Sequence, residues 1–276
     1  MQTFETPGSV SLQIKLPSGR VVVTTVDEPK TTVEVVARGR RGQDAIDEID
    51  VTMRESAGRH ELRIEQKDKF RWGPIQITWG GDFECRVMCP PGADLEFGGG
   101  STDLRVEGEL GEVAVSTASG DVRLQSTRGD LQVKTASGDV SVATVAGEAS
   151  LVTVSGDVDV TRVGGSLTVR AVSGDVTIGA IDSESGVSTT SGDIEIRAVR
   201  DGDVRVNSVS GDVRLGVARG TRVWIDAASV SGKLESELGL EDHELGADVD
   251  AAVVPLHVKT VSGDVSIVRA AEALAT

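Results

Sequence analysis

From Gly111 onward the apolar and polar positions of this chain follow a nine-residue beat. Glycines occupy 111, 120, 129, 138, 147, 156, 165 and 174; position 183 is serine, and Gly192 resumes the count. After each turn one apolar residue is followed by another two positions on, as in Val122/Leu124, Leu131/Val133, Val140/Val142, Val158/Val160, Leu167/Val169, Val176/Ile178 and Ile194/Ile196. Such alternation predicts short strands with one buried face. The next apolar position lies three further on, at Val145, Val154, Val163, Val172, Ile181 and Val199, which predicts a bend that keeps these side chains inward. These offsets form no helical stripe, and a glycine every nine residues would cost a helix about 1 kcal/mol each relative to alanine.

The triplet S-G-D itself returns every eighteen residues, at Ser119, Ser137, Ser155, Ser173 and Ser191, while the units between are looser: RGDL, AGEA, GGSL and SESG. The repeat is therefore two unequal halves. An antiparallel meander of nine-residue strands would have no reason to switch its inward parity in mid-unit. The pattern instead predicts an all-β fold, a parallel β-solenoid of the β-helix or β-roll kind, with 18-residue coils stacked about 4.8 Å apart so that like residues lie over like. Gly202 then comes ten after Gly192, and ASVSGKLESELGLEDHELGADV intervenes before a last VKTVSGDVSIV. The acidic stretch Glu235–Asp250 reads as an exposed excursion, and residues 269–276 as a tail.

Residues 1–95 lack the beat but still alternate, in SLQIKL, RVVVTTV, TTVEVVA, HELRIEQ and PIQITW. They predict a non-repetitive N-terminal β cap over the open end of a solenoid spanning residues 96–268, since bare strand edges would pair with other molecules. Imperfect capping would allow copies to associate through their ends.

Composition sharpens this picture. Glycine supplies 33 of 276 residues, tyrosine none and aromatics 3% in all, which suits many short strands closed by tight turns. The formal charge of -16 repels phosphate backbones and anionic lipid, so nucleic acid is not an expected partner. No stretch approaches the roughly 18 apolar residues of a membrane span, and the first residues show no basic and apolar export signal. A cytoplasmic setting follows for the sequence as written, or a cell-surface one if a signal has been removed.

The repeated S-G-D explains itself structurally. Glycine accepts φ > 0 at the turn, and aspartate accepts hydrogen bonds from nearby backbone N–H groups. Asp121, Asp139, Asp157, Asp175, Asp193, Asp212 and Asp264 are accordingly expected to cap turns. Stacking would also align their charges, and calcium could bridge them, making it the one candidate cofactor. Calcium-binding nonapeptide rolls, however, use G-G-x-G-x-D, whereas here Asp directly follows a single Gly. Arg128–Asp130 spells R-G-D but falls in the repeat register as a looser copy of S-G-D.

Three further features bear on chemistry. KDKFRWGPIQITWGGDF gathers Phe70, Trp72, Trp79 and Phe83 beside Arg71 in a chain poor in aromatics. Phe70, Arg71, Trp72 and Trp79 form the candidate surface for a protein or glycan partner, against the plainer reading of a cap packing its few large side chains. Cys85 and Cys89, four apart on one predicted strand, would stand roughly 13 Å apart, too far for a disulfide, and read as buried thiols. No phosphate loop, G-x-S-x-G elbow or metal-spaced Cys/His set occurs.

The opening F-E-T-P-G-S-V, the G-R-V-V-V strand, C-P-P-G-A-D-L leading into G-G-S-T-D-L, and the tandem S-G-D-V units resemble the bacterial putative-adhesin family of unknown-function domains. The resemblance covers essentially the whole chain. It implies a β-solenoid and an adhesin-like role and supplies no catalytic residues. The expected function is a non-enzymatic binding or scaffold protein whose ligand the sequence does not name. The alternatives are a calcium-stabilised exported adhesin and a carbohydrate-active enzyme working from a carboxylate-lined coil face.

Overall fold

The computed structural model describes residues 1–38, 46, 49–56, 58–66, 71–72, 75–76, 82–238 and 253–270, and its fold is an all-β parallel solenoid. It divides into two compact units, Met1–Ser141 and Val142–Thr276, the division falling inside the strand Val140–Val145. No helix among the described residues is long and apolar enough to cross a membrane.

In the first unit the strands stack by eighteen, as the beat requires. Val113 lies beside Leu95 on one side and Leu131 on the other, and Val122 beside Leu104. Their inward side chains are almost wholly buried, Leu95, Val113, Leu131, Leu104 and Val122 among them. A single coil has no second layer to cover this face, so the strands gain burial only by stacking.

The parallel ladder also reaches into the region expected to be cap. Ser9–Thr25 runs parallel to Asp94–Leu110, from Ser11 beside Asp94 to Thr24 beside Glu107. Its other edge takes Arg59–Gln66 along its first half and Asp82–Cys89 along its second, again in parallel. Antiparallel strands then close the stack. Ile49–Ser56 pairs with Arg59–Gln66, while Lys30–Arg38 pairs with Asp82–Cys89 and is itself covered by Gln2–Glu5. The chain's first long strand is thus not its outermost coil.

The second unit is also built of parallel stacked strands. Ala149, Leu167, Ser185 and Val204 follow one another in one row, and Val158, Val176, Ile194 and Val213 in another. Beyond Val204–Ser210 the next strand in space is not the next in sequence. Val253–Ser262 lies there, and Arg222–Ser231 stacks on its far side. In the other half Val265–Arg269 is likewise seated between Val213–Val217 and Leu234–Ser236. The last S-G-D-V unit is therefore inserted between two coils that precede it. Leu234–Ser236 is itself a strand, so the expected excursion at Glu235–Asp250 begins inside a coil; residues 239–250 lie outside the described residues, as do 271–276 of the tail.

The inward bend predicted for every unit occurs in only some of them. Val145, Val163, Ile181 and Val199 are buried, but Val154 and Val172 are about half exposed. The phase break belongs to one half of the coil only. In strands such as Val158–Val163 the chain kinks after the second inward residue and returns an apolar side chain inward at the sixth. In the other half alternation simply continues, and a small or hydroxyl residue points inward instead: Thr117, Thr135, Thr153, Ala171, Thr189, Ser208 and Thr260 are all buried. Where a valine follows, as at Val154, Val172, Val209 and Val261, it then faces out.

Cys85 and Cys89 are free and fully buried, on the strand facing Val21 and Thr25. Burial pushes both thiols up to about 12. The folded chain thus holds these protons more tightly than the unfolded one. Their contribution to stability is complete below about pH 9 and is lost as pH rises from 9 towards 12. Urea midpoints should therefore fall above pH 9, and more steeply than in a Cys85→Ala, Cys89→Ala variant; equal slopes would show that the thiols carry none of the dependence.

Candidate functional site

The S-G-D corner is the most repeated feature of the chain, and its chemistry follows from the backbone. Glycine turns the chain there with φ far outside the range of other residues, +121° at Gly174 and +132° at Gly192. The next N–H, that of aspartate, then has no carbonyl of the stack to bond. It donates instead to the carboxylate of the preceding coil in space. In the first unit the Asp121 N–H meets Asp103 Oδ1 at 3.1 Å and the Asp139 N–H meets Asp121 Oδ1 at 3.2 Å. In the second, the N–H groups of Asp175, Asp193, Asp212 and Asp264 meet Oδ1 of Asp157, Asp175, Asp193 and Asp212, each at 2.8 Å. The Lys233 N–H closes the series on Asp264 Oδ1 at 2.8 Å.

Each carboxylate therefore caps the corner of its neighbour in the stack rather than its own turn. Sequence reasoning missed Asp103, although it stands eighteen residues before Asp121 and the count could have reached it. It also missed the hydroxyls that brace the corner from inside. The side chains of Thr117, Thr135, Thr153 and Thr189 donate to the carbonyls of Ser119, Ser137, Ser155 and Ser191 at 2.9 to 3.3 Å. A buried hydroxyl with an acceptor two residues on keeps the corner polar atoms paired.

Among the described residues no group of three or more His, Cys, Asp or Glu side chains converges as a metal site would require. The R-G-D copy lies in the other row of turns, where the Gly129 N–H bonds the Gly111 carbonyl and the Arg128 guanidinium is paired with Glu109.

Of the aromatic candidates, Phe70 and Trp79 lie outside the described residues. Arg71–Trp72 forms a short antiparallel pair with Ile75–Gln76, Arg71 beside Gln76 and Trp72 beside Ile75. Phe83 is buried in the core of the first unit. The exposed aromatic that sequence reasoning overlooked is Trp224, on the outermost strand of the second unit. It packs edge-on to His257 at 5.4 Å between centroids, and His257 Nδ1 lies 3.4 Å from Asp226 Oδ2.

The model of the family described as Toastrack DUF4097 matches residues 9–185 and, overlapping them, 165–268. No curated protein matches the chain at a significant level. Among solved structures, a putative lipid binding protein from Parabacteroides distasonis is similar at 11% identity, covering 96% of this chain and 95% of its own, with a TM-score of 0.48. A putative adhesin from the same species aligns at 11% identity over 96% and 95% with a TM-score of 0.41. A putative adhesin from Bacteroides fragilis does so at 11% over 96% and 95% with a TM-score of 0.36.

Proposed function

Because the chain belongs to the Toastrack DUF4097 family, we propose that it is an adhesin-like binding or scaffold module without catalytic activity. The observation that carries this reading is the row structure. Residues one coil apart hold like chemistry, so each face offers the same group again and again along the stack. Extended partners bind such surfaces, whereas a reaction needs unlike groups held around one point. The aspartates follow the same logic. One oxygen of Asp157, Asp175, Asp193 and Asp212 serves a backbone N–H, which supports a capping role for the row.

The test pairs binding with turnover. Labelled full-length chain is applied to polysaccharide and protein arrays, and the same polysaccharides are assayed for new reducing ends. Saturable binding without new ends is the expected result. New reducing ends that disappear in a Glu195→Gln variant would put the carbohydrate-active reading in its place, Glu195 being an acidic side chain on a coil face.

A further inference from the structure

The second unit carries an outward row that its own fold does not need. Val154, Val172, Val209 and Val261 are 47 to 50% exposed and Val230 is 83% exposed. Each stands just before the serine of its corner. Those serines lie over one another, Ser155 beside Ser173, Ser173 beside Ser191, Ser191 beside Ser210, and Ser262 between Ser210 and Ser231. The valines therefore form one stripe, interrupted only by Thr190. In the first unit the same repeat position holds Gly100, Ala118 and Ala136, so the corner can be built without a large apolar side chain. Valine there leaves apolar surface in water that a partner could cover.

We propose that this stripe docks a basic amphipathic helix of another protein. Six positions about 4.8 Å apart make a stripe roughly 24 Å long. A helix laid along it presents an apolar residue once per turn, about every 5.4 Å, close to the coil spacing, and about 16 residues span the stripe. An extended peptide repeats its same-face side chains only every 6.6 Å or so, and falls out of step within two coils. Charge selects the helix. Asp157, Asp175, Asp193, Asp212 and Asp264 run beside the valines, three residues on, and all are exposed. Lysine or arginine flanking the helix's apolar face would meet that row, whereas an anionic helix, an anionic membrane or a second copy of this chain at net charge -16 would be repelled.

This proposal rests on the reading of the chain as a binding module, and its test separates the two. The probe is a labelled synthetic 18-residue helix with a leucine stripe flanked by lysines, titrated with the full chain by fluorescence anisotropy. Companion peptides replace the leucines by serine or the lysines by glutamate. The variant is Val172→Thr, Val209→Thr, Val261→Thr, a substitution for which Thr190 in the same row is the native precedent, and a melting curve checks that it folds. Saturable binding of the leucine/lysine helix is expected, weakened about tenfold in the variant and about tenfold or more for either companion peptide. No binding to the native chain, equal binding by the variant, or equal binding of the serine peptide would overturn the stripe as a docking site. An array ligand kept by the variant in those cases leaves the binding-module reading standing, while a blank array with the native chain removes that reading itself.

Discussion

A chain ended before Val253 is expected to melt more than about 10 °C below the full chain and to associate. Val253–Ser262 and Val265–Arg269 fill a slot between two coils, and Val254, Leu256, Val258, Val265 and Ile267 are all at most 3% exposed. Each such side chain contributes about 1.5–3 kcal/mol by burial, partly offset by the entropy of ordering the strand, so a net loss on the order of 5 kcal/mol follows. Removal also bares the edges of Val204–Ser210 and Arg222–Ser231, which invites pairing between molecules. Calorimetry with light scattering reads both effects. The competing outcome is specific. Arg222–Ser236 carries its own V-S-G-K corner, and if it closes directly onto Val204–Val217 the truncated chain will melt near the full one and remain unassociated.

Gly192→Ala is expected to destabilise the chain by at least about 3 kcal/mol. At φ +132° an alanine is strained wherever it points, and its Cβ would lie 2.1 Å from the carbonyl oxygen of Gly174 and 2.7 Å from that carbonyl's carbon. Backbone of the neighbouring coil cannot rotate aside as a flexible side chain could, so the coils must part or the corner distort. Gly186→Ala is the control. It sits in the strand Ser185–Ser191 with nothing within 4 Å of the added Cβ and no left-handed φ, and it should be neutral or stabilising by up to about 1 kcal/mol. Urea unfolding of the two variants decides the matter; similar midpoints would mean that the corner glycines are ordinary turn residues.

The repeats were legible because they are local. A glycine every nine residues and an apolar pair after it were enough for coil length, parallel stacking and most of the core. What the pattern left out is what depends on the third dimension. Val154 and Val163 look alike in the sequence, each a valine closing its unit, yet only the strand ending in Val163 kinks after its second inward residue. In the other strand Thr153 takes the inward place, its hydroxyl satisfied by the Ser155 carbonyl, and the valine turns out. The out-of-order placing of Val253–Ser262 left no trace in the count, since an S-G-D-V unit fits any slot of the stack. The coil built from Ser9–Thr25 lies 83 residues from its partner strand, Ser11 beside Asp94, and carries no S-G-D to announce the register. Turn capping by the aspartates was an expectation of residue type alone; only the stacked backbone shows that the N–H groups of Asp175, Asp193 and Asp212 reach the neighbouring coil's carboxylate. Trp224 was passed over because it stands alone in sequence, its partner His257 being contributed by the inserted strand.

If the aspartate row serves the backbone, thermal unfolding should be indifferent to calcium. The full chain and Asp193→Asn are melted in millimolar calcium and in chelator. Hydrogen bonds from Asp212 N–H to an amide oxygen at position 193 remain available in the variant, so both proteins should melt at nearly the same temperature under both conditions. A rise of several degrees with calcium in the native chain, lost in Asp193→Asn, would instead make the row a metal ladder.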